Sequence, residues 1–346
     1  KKAKLKIVKE AAINFLTQKK INLKPNGGYV DTHCHLDMLL RRFVGSKKFD
    51  AITSIDQTRE EASKLFAELY DLPSLEEYEK NKDIPFEPNA LFQPMVSIYC
   101  EANSINPFTS LANLFIGSEK EEENDYLITK YLPTVYASFG IHPNCATDYN
   151  DVVEKHIEER MNHPRTVALG EIGLDYYRKH APRDLQRQVF EKQIKLAMKH
   201  NKPIVIHTRQ AEEDTLKVLL KSGLPKDWKI HVHCFTDSAA FISKMLSHFS
   251  NMYVGFTGVI TYESAQDTIC EAVKVVPLNR ILLETDAPFM PVAFPPQYHP
   301  KKHAKGAVCN STHIPFIANH IATVKNVDVE QVFTQCRQNT KDVYGF

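Results

Sequence analysis
The sequence contains no Cys-x-x-Cys pair, although it holds seven cysteines in 346 residues. An odd, scattered set of thiols excludes a disulfide scaffold and points to a reducing compartment. No apolar run approaches the roughly 18 residues of a transmembrane helix, so no membrane partner is expected. No signal peptide is visible, and the chain has no initiator methionine, so a removed N-terminal segment stays open. The expected compartment is the cytoplasm, with the nucleus as second choice. Net charge is close to absent, +1 from 43 basic and 42 acidic residues. The molecule as a whole is therefore no polycation, and any affinity for nucleic acid must come from a local patch or from metal ions. Internal repeats and low-complexity tracts are also lacking. What remains is ordinary for a globular protein: 43% hydrophobic and 25% charged residues, enough for a sizeable core in one large domain or two.

The charge is unevenly spread. Residues 1–24 carry eight Lys and one Glu, and Ile7, Ala11, Ala12, Phe15 and Leu16 recur at helical spacing. This predicts a basic amphipathic helix ending in a turn at Pro25-Asn26-Gly27-Gly28. Residues 1–28 are read as a helical extension and 29–346 as the main domain. A helix is predicted over Asp56–Tyr70, and a surface insertion over Leu72–Pro94, which is rich in Pro, Glu, Lys and Asn.

Strand-like runs follow at Met95–Tyr99 and Val135–Phe139. From there, strands ending at Glu171, His207, His233, Gly255 and Asp286 alternate with helices over 185–200, 212–221, 239–247 and 264–275. A last helix is predicted over 330–339. With Tyr29–His35 first, this makes eight strands. Such alternation implies a parallel sheet, and eight units imply an α/β fold of the (β/α)8 TIM-barrel type, enlarged between strands 1 and 3.

The chemistry gathers at the strand ends. Alternate side chains of a strand face one way, so His33 and His35 of Asp31-Thr32-His33-Cys34-His35 point together. Glu171, His207, His233 and Asp286 close later strands. Barrel active sites lie at the C-terminal ends of the strands. His231 shares a face with His233, and Glu284 with Asp286; in each pair the residue nearer the strand end is preferred. Of the other histidines, His156, His163, His180, His200 and His248 are read as solvated. Four imidazoles and two carboxylates exceed one tetrahedral zinc site. They suit two divalent ions, which would acidify a water and clamp the oxygens of a displacement at phosphorus.

Six motifs carry a resemblance. They are Asp31-Thr32-His33-Cys34-His35-Leu36-Asp37, Gly140-Ile141-His142-Pro143, Gly170-Glu171-Ile172-Gly173-Leu174-Asp175-Tyr176, Ile206-His207-Thr208-Arg209, His233-Cys234-Phe235-Thr236 and Glu284-Thr285-Asp286-Ala287-Pro288. In this order they resemble the TatD family of metal-dependent deoxyribonucleases, amidohydrolase-like TIM barrels, over residues 30–345. The resemblance implies a DNA exonuclease with His33, His35 and Asp286 on one metal, His207 and His233 on the other, and Glu171 bridging. Mg2+ is the expected activating ion, with Zn2+ or Mn2+ as alternatives.

Glu171 and Asp286 are the expected catalytic carboxylates, Asp286 as general base. His142 and Arg209 are expected to hold the phosphate, Tyr176 and Tyr177 to stack on bases, and Asp175 to fix a neighbouring ligand. The stretch from His35 to Gly140 is longer than the family pattern. A late Arg-Asn pair appears here as Cys309-Asn310, which keeps Asn310 as an expected substrate contact. DNA is the expected partner, with no protein partner and a monomeric state. Two other functions compete: hydrolysis of a small lactone, amide or phosphotriester by the same kind of centre, and a non-catalytic nucleic-acid-binding barrel. A carboxylated Lys often bridges the metals in the first group, whereas this chain has Glu171 there.

Overall fold
Eight short β-branched and aromatic runs form parallel strands that follow one another around a barrel in chain order. They are β1 (Tyr29–Cys34), β2 (Phe92–Tyr99), β3 (Val135–Phe139), β4 (Thr166–Asp175), β5 (Ile204–Arg209), β6 (Ile230–Val232), β7 (Met252–Phe256) and β8 (Ile281–Leu283). The computed structural model describes residues 27–45, 92–107, 111–116, 134–265, 267–293 and 308–346, together with Phe49, Gln57, Glu60, Glu61, Ala62, Lys64 and Leu65. The basic helix expected over 1–24 lies outside these residues, as do most of the helix expected over 56–70 and most of the insertion expected over 72–94.

The ring is nearly closed. Past the last residue of β8, Asp286 N donates to His33 O at 2.8 Å and His35 N donates to Ala287 O at 2.7 Å. Helices cover the outside: α1 (Leu36–Val44), α2 (Ala102–Ile105), α3 (Ala112–Ile116), α4 (Asp151–Met161), α5 (Arg183–Lys199), α6 (Glu212–Lys221), α7 (Ala239–His248), α8 (Ile269–Val275), α9 (Ile314–Lys325) and α10 (Val329–Tyr344). The expected (β/α)8 barrel is therefore the fold observed. No helix among the described residues is long and apolar enough to cross a membrane, and all seven cysteines are free.

Local chemistry accounts for these elements. Helix α5 buries Val189, Phe190, Ile194 and Ala197, a stripe at helical spacing, and exposes its charged residues. Asn150 caps α4 by accepting from Val152 N and Val153 N, and Asp328 caps α10 by accepting from Glu330 N. Helices α1, α4 and α9, and the short α2 and α3, fall outside the expected helices. Helix α9 buries Ile314, Pro315, Phe316, Ile317, Ala318, Ile321 and Ala322. Being apolar on most sides, it has little of the one-sided periodicity that announces a surface helix. It ends at Asn326 in the left-handed conformation, a common helix stop.

Other boundaries also move. Strand β4 runs four residues past Glu171, to Asp175. Helix α8 begins at Ile269, five residues later than the pattern suggested. Among the histidines read as solvated, only His180 is exposed; His163 is buried, and His156, His200 and His248 are half-buried. The His163 ring is turned inward, its Nδ1 accepting from Arg165 N at 3.1 Å.

Candidate metal centre
The site is built on a local irregularity. Strand β4 pairs with β5 as Gly170↔Val205 and then Ile172↔Ile206, so Glu171 is an extra residue in the ladder. A bulge of this kind re-aims a side chain. Beyond it, Gly173 sits opposite His207 with φ +142°. A Cβ at Gly173 would lie 2.0 Å from His207 O, so only glycine lets β4 pass β5 this closely. The β1–β2 ladder shifts register between Asp31 and Cys34, the stretch that carries His33.

Glu171 is buried at the centre of a histidine cluster, and its two oxygens face different partners. On one side, Oε2 lies 3.6 Å from His33 Nε2 and 3.8 Å from His35 Nε2. Asp286 Oδ1 joins that side, 3.8 Å from His33 Nε2 and 3.3 Å from His35 Nε2. On the other side, Oε1 lies 2.7 Å from His207 Nδ1, 2.8 Å from His233 Nε2 and 3.5 Å from His142 Nε2. All six residues expected as ligands meet here, with His142. Asp286 holds its carboxylate in place with a left-handed backbone, φ 53°, a conformation that Asp tolerates better than most residues.

The far nitrogen of each ring says which way the near one points its lone pair. His35 Nδ1 lies 3.2 Å from Ile98 O, an acceptor, so it carries the proton and Nε2 faces the cluster bare. His207 Nε2 lies 3.6 Å from Asp175 Oδ2, and His233 Nδ1 lies 4.0 Å from Glu284 Oε1. Carboxylates behind these rings favour the same arrangement. His142 is the reverse case. Its Nδ1 accepts from Asn144 N at 3.0 Å, so the proton of the neutral ring sits on Nε2 and points into the cluster. Burial pushes the His142 imidazole down to about 3, against the pull of Glu171, and so keeps it neutral. This ring is built to donate to an anion.

The donor set fits divalent cations. Neither nitrogen of His33 has a hydrogen-bond partner among the described residues, although the ring is fully buried. Unpaired buried polar atoms are costly, and a cation at Nε2 would remove the cost at that atom. Burial, reinforced by His233, holds His33 well below the ordinary imidazole range. Burial pushes the Glu171 carboxyl up, yet His233, His142 and His207 outweigh it and hold the group well below the carboxylate range. Among the described residues, the ion-pair partners of Glu171 and Asp286 are all histidines, with no Lys or Arg. Two carboxylates in a buried pocket without a fixed cation leave a place for mobile ones. Three overlapping groups have ligand-like spacing: His33, His35 and Glu171; His142, Glu171 and His207; and His33, His233 and Glu284.

The last group includes Glu284, which position along the strand had ranked behind Asp286. Glu284 and His231 lie below the preferred members of their pairs, fully buried, with His231 Nε2 2.9 Å from Glu284 Oε2. Glu284 also accepts from Cys234 N, and His231 Nδ1 meets Tyr344 OH at 2.6 Å. Burial raises the Glu284 carboxyl to about 8, despite the nearby His233. Gly255 makes the room: a Cβ there would lie 2.4 Å from Glu284 Cδ. The signal available in the sequence was the shared parity itself, since both members of each pair face inward.

Other expected contacts lie outside the cluster. Arg209 is half-buried, its guanidinium 3.9 Å above the ring of Tyr177, which is exposed. Tyr176 is not available for base stacking. It is buried, donates from OH to Asp214 Oδ2 at 2.7 Å and accepts from Arg187 Nη1 at 2.9 Å. Asn310 is turned inward as a cap, its Oδ1 accepting from Thr312 N and Thr312 Oγ1, and no hydrogen bond joins it to the cluster among the described residues.

A parallel barrel with histidines and carboxylates converging at the C-terminal ends of its strands has the architecture of a metal-dependent hydrolase. The chain belongs to the TatD related DNase family, which matches residues 30–345. It is 35% identical over 333 residues to the human 3′-5′ RNA nuclease TATDN2, an alignment covering 94% of this chain and 36% of that protein. The chain thus spans about a third of that relative's length. It is 34% identical over 210 residues to the metal-dependent hydrolase YabD of Bacillus subtilis, covering 61% of this chain and 77% of YabD. The crystal structure of the Escherichia coli TatD homologue YJJV superposes with a TM-score of 0.64 at 20% identity, covering 92% of this chain and 98% of that one. At that identity the likeness bears on the fold.

Proposed function
We propose that this chain is a nuclease that hydrolyses phosphodiester bonds at the end of a single nucleic-acid strand, at a centre of two divalent ions. The observation that carries the reading is the partition around Glu171, with His33, His35 and Asp286 at Oε2 and His207 and His233 at Oε1. One set would hold each ion, and Glu171 would bridge them. When bound, such ions supply Lewis acidity, acidifying water towards neutrality and offsetting phosphate charge; Mg2+ is the proposed activating ion.

The protein groups do the rest. Asp286 takes the proton of the attacking water as general base. His142 donates from Nε2 to a phosphate oxygen, a bond that strengthens as charge develops. Arg209, held over the Tyr177 ring, meets a neighbouring phosphate at the rim. Burial of the cluster supports a strand end as substrate, because a single strand enters a buried site more readily than a stiff duplex. The family's name supports DNA, and the name of the human relative adds RNA and a 3′-to-5′ direction. The test is digestion of end-labelled single- and double-stranded DNA and RNA with Mg2+, Mn2+ or EDTA. Stepwise, EDTA-sensitive shortening of single strands is expected. Failure to cleave any of them with either ion, or cleavage that persists in EDTA, overturns the reading.

A further inference from the structure
We propose that the hollow between the end of β4 and the start of α5 is a nucleotide subsite, holding the nucleotide next to the one being cleaved. This rests on the nuclease reading above. The hollow has a volume of about 430 Å3 and is lined in part by Asp175, Tyr176, Lys179, His180, Arg183 and Gln186. That size suits a small organic ligand rather than a bare ion.

Two of its lining side chains, Lys179 and Arg183, are cationic, and its one lining carboxylate, Asp175, is turned to other partners. Asp175 accepts from Tyr177 N and Arg178 N on one oxygen and from Asn144 Nδ2 on the other. Asp184 and Asp214 pair with Arg187. Lys179 and Arg183 have no ion pair among the described residues, and both are exposed, as is His180. Arg183 Cζ lies over the Tyr176 ring, 4.3 Å from its centroid, a cation–π contact that restrains the guanidinium and lowers the entropy lost on binding a phosphate.

The floor is rigid. Gln186 accepts from Asp175 N and donates to Asp175 O and Ala181 O. Asp175 is also the wall shared with the metal centre, its Oδ2 3.6 Å from His207 Nε2. Asp175 thus puts the hollow next to the cluster, an adjacency that suits neighbouring nucleotides of one strand.

The test uses the double variant Lys179→Gln, Arg183→Gln in the full chain with Mg2+. Two substrates are compared: a single-stranded DNA hexanucleotide, and bis(p-nitrophenyl) phosphate, which has no second nucleotide. Loss of charge-assisted contacts should raise KM for the hexanucleotide about tenfold and leave kcat little changed. The salt dependence of kcat/KM should flatten by roughly 0.7 per charge removed. Hydrolysis of bis(p-nitrophenyl) phosphate should be unchanged. An unaltered KM and salt slope on the hexanucleotide overturns the subsite. An equal loss on both substrates also overturns it, because the residues would then be supporting the cluster. A wild-type enzyme that hydrolyses the small diester but not the hexanucleotide overturns the nuclease reading, and the subsite with it.

Discussion
Among the individual residues, the group facing the far nitrogen of an imidazole separates two roles that the spacing of histidines cannot. His35, His207 and His233 have an acceptor at the far nitrogen, whereas His142 has a donor, Asn144 N. The first three are poised to give a lone pair and His142 to give a proton. His142→Gln should therefore keep the metal content of the wild type and lower kcat about 100-fold, the scale seen when one anion-stabilising donor is removed. His207→Ala, His233→Ala and Glu171→Gln should each lose metal as well as turnover. The two histidine losses should be non-additive, as for residues acting as a unit. Metal analysis of the purified variants beside their rates decides it. Metal loss in His142→Gln equal to that in His207→Ala would make His142 a ligand and end the distinction.

At the level of elements, the barrel closes where its site is assembled. Asp31, buried on β1, accepts from His33 N and Thr285 N at Oδ1, and from Thr285 Oγ1 and Ser311 Oγ at Oδ2. One carboxylate thereby ties β1 to the segment after β8 and to the turn that leads into α9. Burial raises its pKa to about 7, although the four hydrogen bonds work against this. Asp31→Ala would strand four buried donors, and removing a partner from such a network costs about 3 kcal/mol or more. Denaturant unfolding of the variant should show a loss of that order. A loss below about 1 kcal/mol, within the range of an ordinary surface change, would mean that other contacts close the ring.

For the molecule as a whole, the described residues of the metal centre and its supporting shell belong to the barrel, from Asp31 to Tyr344. The basic segment at residues 1–24 is proposed as an accessory. Its removal should leave the barrel folded and kcat unchanged. If its lysines meet the nucleic-acid backbone, KM should rise and the salt dependence flatten, since fewer phosphate contacts release fewer counterions. Circular dichroism and steady-state rates over a salt series test this. A large fall in kcat at saturating substrate, with metal content unchanged, would place the segment at the reacting centre.

The sequence by itself determined the barrel and the residues that converge in it. Strand–helix alternation is a local pattern, and residues at strand C-termini are carried to one mouth whatever the details of packing. His33, His35, Glu171, His207, His233 and Asp286 were legible for that reason. The tertiary structure decided how they are shared. The extra residue at Glu171 in the β4–β5 ladder shows only when β4 is paired with β5. The depth of Glu284 and His231 depends on the space that Gly255 leaves on the neighbouring strand. Tyr176 and Tyr177 are adjacent in sequence and equivalent as candidates, yet Asp214 and Arg187 draw one inward while the other stays at the rim. Each of these depends on contacts between residues far apart in the chain, and a periodicity read along one segment carries no information about them.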